Sequence, residues 1–348
     1  MNNPGRLINS LRRPPSSLSA GYAEVAETDR PANAGGPLTG ILKWLFGKLP
    51  PDFPEFVYTV LLRPWPLRRL TNFVIQKSLP NSVSYGPAVV MLNPSDPVVS
   101  GALAFRVYEN AERHILYAHC RPGMTFVDIG ANIGYYTALA THAVGAEGQV
   151  LALEPDPESF QYLRQTVAAN NTQNVRCFQL AATDAPGPRR LYLSKDNRGD
   201  NRIYEPEPGW ESLEIQTVTV DGLLAELEIA SVDFIKIDVQ GAEGSVIAGM
   251  KDTLRNSDGL VVMTEFWPKG LAQCGTDPMD FLNQLEELGL TLYELVKGST
   301  ELVRVQDKSD LISRYSGRKY GTVLALRPEL SQSAPVTDED LEPVFIAG

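Results

Sequence analysis

Residues 126–137 read Phe-Val-Asp-Ile-Gly-Ala-Asn-Ile-Gly-Tyr-Tyr-Thr, and residues 150–154 read Val-Leu-Ala-Leu-Glu. An apolar strand, a glycine turn, a helix start and a second apolar strand ending in an acid succeed one another, which is the opening of a βαβ unit with a nucleotide-type cofactor site. Gly130 and Gly134 bracket the turn at the carboxyl end of the first strand. A missing Cβ there lets the backbone pass close to a ligand, and the next helix offers free N–H groups. Glu154 ends the second strand, placed to accept hydrogen bonds from a ribose diol. Its position twenty residues after Gly134 also fits the acid of a dinucleotide site. Against a dinucleotide stand Asp128, whose carboxylate would face a pyrophosphate, and Gly-Ala-Asn-Ile-Gly in place of Gly-x-Gly-x-x-Gly. The turn suits a ligand with an amine or sulfonium near the loop, and S-adenosylmethionine is favoured over a dinucleotide.

Outward from this unit, strand and helix signals alternate. Strands are predicted at Thr125–Ile129, Val150–Glu154, Val175–Leu180, Val232–Asp238, Leu260–Phe266, Thr291–Leu295 and Thr322–Leu326, and helices near Tyr135–Ala143, Glu158–Asn170, Ala242–Arg255 and Pro278–Leu288. Apolar strands separated by amphipathic helices imply an α/β fold with a Rossmann-like parallel sheet covered on both faces. The stretch from Arg189 to Val220 departs from the pattern: Leu191 to Leu193 and Leu213 to Val218 alternate with period two. A β-hairpin insertion is expected there, with a long polar tip from Asp196 to Trp210 that either arches over a substrate or is a plain surface loop.

The ends of the chain read differently. Residues 1–38, rich in Pro, Ser, Asn, Gly and Ala and without periodicity, are expected to be a disordered arm. Residues 39–93 are expected to form an N-terminal helical extension, with Ile41, Trp44 and Leu45 on one helical face and Leu67, Leu70 and Val74 on another. Arg63, Arg68, Arg69 and Lys77 lie nearby, so weak peripheral contact with an anionic membrane is the alternative to helices packed on the main domain. The main domain is placed at 94–327 and a flexible tail at 328–348.

Composition bounds the function. The chain has 348 residues, 43% of them hydrophobic, and a formal charge of −11, which permits a full core and disfavours a nucleic-acid substrate. Cys120, Cys177 and Cys274 are widely spaced and show no metal-ligand spacing, which suits a reducing compartment and makes the cytoplasm the expected location. No stretch of about 18 apolar residues reads as a transmembrane segment.

Four blocks of the sequence also carry a resemblance. Tyr108-Glu109, the turn from Phe126 to Thr137, Val220-Asp221-Gly222-Leu223-Leu224, and Asp233-Phe234-Ile235-Lys236-Ile237-Asp238-Val239-Gln240-Gly241-Ala242-Glu243 together resemble the FkbM-type S-adenosylmethionine-dependent methyltransferases over roughly Pro94 to Arg327. The last block is the more specific; the glycine turn is shared with class I methyltransferases at large. The resemblance implies a seven-stranded sheet with the final strand antiparallel, a cofactor across the carboxyl ends of the strands, and O-methylation of a hydroxyl on a sugar or natural product. Gln240 departs from the family, which usually has Glu there. Carried over residue by residue, Asp128, Gly130, Ala131, Asn132 and Gly134, with Tyr135, line the amino-acid end of the cofactor, and Glu154 the ribose. Asp156 and the Ala182-Thr183-Asp184 turn are candidates for the adenine end, with a turn-capping role the alternative for Asp184.

Methyl transfer from a sulfonium requires positioning of donor and acceptor in line, together with removal of the acceptor hydroxyl's proton during or after attack. Asp238, Glu243 and Glu265, at the carboxyl ends of two strands or the helix start beside them, are the candidates for that proton, in that order. Helix-dipole and ion-pair roles are the alternatives for Glu243 and Glu265. Asp238 and Glu265 also occupy positions at which divalent-metal catechol methyltransferases place ligands, so Mg²⁺ is a second, not the expected, mechanism. His114, His119 and His142 read as surface or packing residues, and Tyr135, Phe266 and Trp267 as candidate walls of the acceptor pocket. The leading reading is a small-molecule or glycan O-methyltransferase; the alternatives are a protein or peptide methyltransferase, or a non-catalytic cofactor-binding module of a biosynthetic complex.

Overall fold

The computed structural model describes residues 79–327 except 107, 196 and 318. The expected arm and tail, and the amphipathic segments of 41–78 with their basic residues, lie outside the described residues.

The described chain opens with strands β1 (Ser82–Tyr85) and β2 (Ala88–Met91), joined by Gly86–Pro87 with Gly86 at φ 59°. Glycine at the first central position is what a tight two-residue hairpin turn demands. The part of the expected helical extension that is described is therefore a hairpin; its period-two burial was masked by shortness. Helices α1 (Pro97–Ala104) and α2 (Asn110–His119) follow, then the sheet-forming alternation: β3 (Thr125–Ile129), α3 (Tyr135–Val144), β4 (Gln149–Leu153), α4 (Pro157–Asn170) and β5 (Val175–Phe178). The hairpin insertion comprises β6 (Ala181–Ala182), β7 (Gly187–Leu193) and β8 (Glu211–Val218). Beyond it run α5 (Val220–Glu226), β9 (Phe234–Ile237), α6 (Glu243–Ala248), α7 (Lys251–Asn256), β10 (Val261–Phe266), α8 (Pro268–Gln273), α9 (Pro278–Glu287), β11 (Thr291–Leu295), β12 (Leu302–Arg304), α10 (Lys308–Arg314) and β13 (Gly321–Leu326).

The main sheet runs β12-β11-β13-β10-β9-β3-β4-β5. Strands β10, β9, β3, β4 and β5 are mutually parallel, and β13 enters antiparallel between β10 and β11. The sheet thus has the seven expected strands with the last antiparallel, plus one short strand, β12, paired only at Tyr293–Leu295. The parallel strands are buried on both faces, as their continuous apolar sequences require: every residue of β3 and β9 is buried.

One predicted helix, Ala242–Arg255, is two. Gly249 packs so closely that a Cβ would come 2.0 Å from the Thr183 carbonyl oxygen. The chain bends there, and α7 restarts with Asp221 as its cap, accepting from the Asp252 and Thr253 N–H groups at 3.0 and 2.8 Å. Asp221, part of a motif block, is structural. The second sheet, β6-β8-β7, follows β5 and packs Ala181, Leu191 and Ile215, one from each strand, in an apolar cluster of its own.

Candidate functional site

The strand β3 ends in a turn that the backbone alone makes possible. Gly130 has φ 80°, and a Cβ on it would meet the Asp238 carbonyl oxygen at 1.9 Å, so β3 and β9 approach each other there only with glycine. Asn132 follows at φ 50°, and Gly134, at φ 90°, starts α3 against Leu163 and Thr166 of α4. The cleft above these strand ends is lined by Gly130, Ala131, Asn132, Tyr135 and Glu154, by Leu180, Ala181 and Ala182, and by Lys236, Asp238 and Gln240 on the far side.

Glu154 is buried, and both of its carboxylate oxygens are used: Oε2 accepts from Asn132 N–H and Oε1 from Asp156 N–H, each at 2.8 Å. Burial pushes its carboxyl up to about 8 despite these donors. The Asn132 amide oxygen and the Tyr135 hydroxyl, on two residues that line the cleft, are buried and have no hydrogen-bond partner. Such orphaned groups are costly unless a ligand completes them.

Several expected residues lie elsewhere. Asp128 does not line the cleft; its carboxylate, lifted to about 6 by burial, accepts from Thr137 Oγ1 at 2.6 Å and so ties β3 to α3. Asp156 does not line the cleft; it caps α4 through Ser159 and takes Arg198 at 2.9 Å. Asp184 lies away from the cleft, paired with Arg189 at 2.9 Å and accepting from Ser245 Oγ. Among the adenine candidates, Ala182 lines the cleft.

The other end of the cleft is a polar cluster. Gln240 Nε2 donates to Asp238 Oδ1 at 2.9 Å and to Glu265 Oε2 at 3.0 Å. Only the NH₂ end of an amide can serve two carboxylates, so the departure from Glu bridges Asp238 and Glu265. Lys236, almost fully buried, lies 3.4 Å from Asp238 Oδ2 and 4.9 Å above the Tyr136 ring. Burial alone would lower its ammonium, but Asp238, Glu109, Asp128 and Glu265 together lift it above its ordinary value. Tyr136 in turn donates to Glu109 Oε2 at 2.5 Å, and burial, opposed by Lys236, brings Glu109 up to about 7. Glu265 is raised well above the usual range by burial and by the Asp238 and Glu243 charges.

Of the three acids expected to remove a proton, Asp238 is the one lining the cleft. Glu265 reaches Asp238 through Gln240. Glu243 is fully buried and accepts from the Val239 and Gly241 N–H groups at 3.2 Å, fixing its own turn. Phe266 belongs to the core, stacked on Phe281, rather than to a pocket wall. The histidines stay outside the cleft: His114 contacts Asn110 O and His142 contacts Asn170. Lys236 was missed although its signal was present, since a lysine inside the apolar Phe-Ile-Lys-Ile of a buried strand must have charged partners.

Among the described residues no group of three or more His, Cys, Asp or Glu is arranged to hold a metal ion. Asp238 and Glu265 are instead bridged by the Gln240 amide, and Asp238 also faces the Lys236 ammonium at 3.4 Å. Among the described residues no helix is long and apolar enough to cross a membrane.

Residues 128–289, from the end of β3 to just past α9, match the methyltransferase FkbM domain. Over this stretch the chain is similar to the FkbM methyltransferases. Relatives include the hexuronic acid methyltransferase AglP of Haloferax volcanii, 27% identical over 198 residues, covering 53% of this chain and 67% of that one. The 31-O-demethyl-FK506 methyltransferase FkbM of Streptomyces tacrolimicus is 30% identical over 162 residues, 38% of this chain and 61% of that one. The 2-O-methyltransferase NoeI of Sinorhizobium fredii is 29% identical over 150 residues, 38% of this chain and 60% of that one. The chain thus spans about two thirds or less of each relative's length. The methyltransferases of this family use S-adenosylmethionine.

Proposed function

We propose that this chain methylates a hydroxyl group on a sugar, glycan or hydroxylated natural product, using S-adenosylmethionine. The observation that carries the reading is the continuity of the cleft: the turn at Gly130 to Asn132 and Glu154 lie in one channel with Asp238, Lys236 and Gln240. When bound, the cofactor supplies an electrophilic methyl group. Three relatives whose names state hexuronic acid, 31-O and 2-O methylation support an oxygen on a polyhydroxylated acceptor.

The residues then divide the work. Glu154 accepts from the ribose hydroxyls, and Asn132 from the ammonium. Asp238 takes the acceptor's proton as the new C–O bond forms, because a sugar hydroxyl is too weak an acid to ionise beforehand. Lys236 and Gln240 hold Asp238 in one orientation and balance its charge. Most of the rate gain comes from alignment of donor and acceptor, a contribution of about 7 kcal/mol or more where the reacting atoms are held near contact.

The test is methyl transfer from labelled S-adenosylmethionine to a panel of hydroxylated sugars and natural products, with a peptide panel alongside. Transfer to a sugar or natural-product hydroxyl that Asp238→Asn abolishes is the expected result; transfer to peptides alone would replace the reading with that of a protein methyltransferase.

A further inference from the structure

We propose that Asn201, on the tip of the hairpin insertion, reads the adenine base of the bound cofactor by donating from Nδ2 to a ring nitrogen. The inference rests on the reading that the cleft takes S-adenosylmethionine, and extends it to a residue outside the glycine turn.

Glu154 at the end of β4 marks the ribose, so the base extends over the end of β5, where Leu180, Ala181 and Ala182 line the cleft. Further along the insertion, Leu191 of β7, Ile203 and Asn201 line the same end of the cleft. Ala181 and Leu191 are buried in one apolar cluster with Ile203 packed against it. Leu180, Ala181, Ala182, Leu191 and Ile203 thus give this end of the cleft an apolar lining of the kind that takes a flat aromatic base.

Asn201 lines this end of the cleft, and its amide is fixed on one side. Its Oδ1 accepts from Ser194 N–H at 2.9 Å, which commits the oxygen to the hairpin and leaves the NH₂ end free. Nδ2 is buried and has no hydrogen-bond partner. A buried donor without an acceptor is destabilising, and the deficit disappears when a ligand supplies one. Asp156 and Asp184, which do not line the cleft, are engaged by protein groups, Asp156 by Ser159 and Arg198 and Asp184 by Arg189 and Ser245. Adenine offers acceptor nitrogens in its rings, and its exocyclic amine is a donor, so a free N–H matches the rings and not the amine.

The tip is also anchored on its far side. Arg198 pairs with Asp156 at 2.9 Å and with Glu158 at 2.5 Å, and its backbone N–H donates to Asp96 at 3.1 Å. Gly199 lies so close that a Cβ on it would come 3.1 Å from Val99 and 3.3 Å from the Asn132 amide nitrogen. Asn201 is therefore held over the cleft from both ends of the tip.

The experiment is calorimetric titration of the full chain with S-adenosylhomocysteine and with its 1-deaza, 3-deaza and 7-deaza analogues, each lacking one ring acceptor. The proteins are wild type, Asn201→Ala and Asn201→Asp, the latter retaining an acceptor for Ser194 N–H but no donor. Thermal unfolding without ligand checks that each variant is folded, and either variant alone suffices. We expect both variants to bind S-adenosylhomocysteine about tenfold more weakly than wild type. One deaza analogue should lose about the same factor on wild type and nothing further on the variants, as a double-mutant cycle requires. Wild-type affinity in the folded variants, or equal losses for all three analogues in every protein, would overturn the assignment of Asn201 while leaving the cofactor reading intact. Absence of any binding to wild type would overturn both.

Discussion

The two ends of the cleft are built on different physical plans. At the cofactor end, the turn after β3 is a backbone construction: Gly130 permits a contact that any Cβ would close to 1.9 Å, and Glu154 is held by two N–H groups. At the acceptor end, Lys236, Asp238, Gln240, Glu265, Tyr136 and Glu109 come from β9, its following turn, β10, α3 and the start of α2, and side-chain contacts hold them together. A backbone site depends on local conformation and tolerates little change of shape. A side-chain cluster depends on charge balance and tolerates little change of charge.

The largest effect expected from this contrast is chemical. Asp238→Asn keeps the shape of the acceptor end and its neighbour Gln240 but removes the proton acceptor, and should lower kcat by about 10²- to 10⁴-fold. Its affinity for S-adenosylmethionine should stay close to wild type, which steady-state kinetics and titration together would check. A comparable loss of cofactor affinity would mean that the two ends are not separable.

Next comes Lys236→Met. Removing the ammonium leaves Asp238 and Glu109 without their cation in a buried setting, at a cost of about 3–5 kcal/mol in unfolding by denaturant. A loss under about 1 kcal/mol would show that the cluster is solvated and its charges screened. Gly130→Ala probes the other plan: positive φ and the clash with Asp238 O predict destabilisation of about 3 kcal/mol with loss of cofactor binding. A variant that binds normally would contradict the backbone account.

The smallest effect is a pH dependence. The Glu154 carboxyl in the folded, ligand-free protein titrates near 8, above its ordinary 4.5, because burial penalises the charge. A raised folded value means the native state holds the proton more tightly. Its stabilising contribution is complete below the unfolded value and is lost as pH rises from about 4.5 through about 8. Tm should therefore fall between pH 6 and pH 9, and fall less in Glu154→Gln; an equal fall in both would assign the dependence to other groups such as Glu109.

The same contrast explains what the sequence disclosed. The parallel strands, the glycine turn and Glu154 follow from apolar runs, glycine spacing and strand ends, which are local signals; the antiparallel last strand was implied by the family resemblance alone. Beyond their reach lay the short edge strand β12 and the hairpin at Ser82–Met91, whose lengths of three and four residues per strand give too little periodicity. The break at Gly249 arises from Thr183, 66 positions away in the chain, and no local pattern marks it. Asp128 looked like a cofactor ligand because it stands beside the turn, yet the alternation of strand side chains sends it to Thr137. Gln240 appeared as the loss of a carboxylate; with Glu265 beside it in space it is a bridge. Lys236 and Glu109 meet only because α2 packs against α3, which brings Glu109 to Tyr136.

The central claim is that one cleft holds S-adenosylmethionine at Glu154 and presents it to Asp238. Calorimetric titration of the purified chain with S-adenosylmethionine and with NAD⁺, repeated on Glu154→Ala and Asp238→Asn, tests it most directly. The account predicts binding of the methyl donor that Glu154→Ala weakens and Asp238→Asn leaves intact, with no binding of NAD⁺. Binding of NAD⁺ alone, or affinity for the methyl donor unmoved by Glu154→Ala, would contradict it.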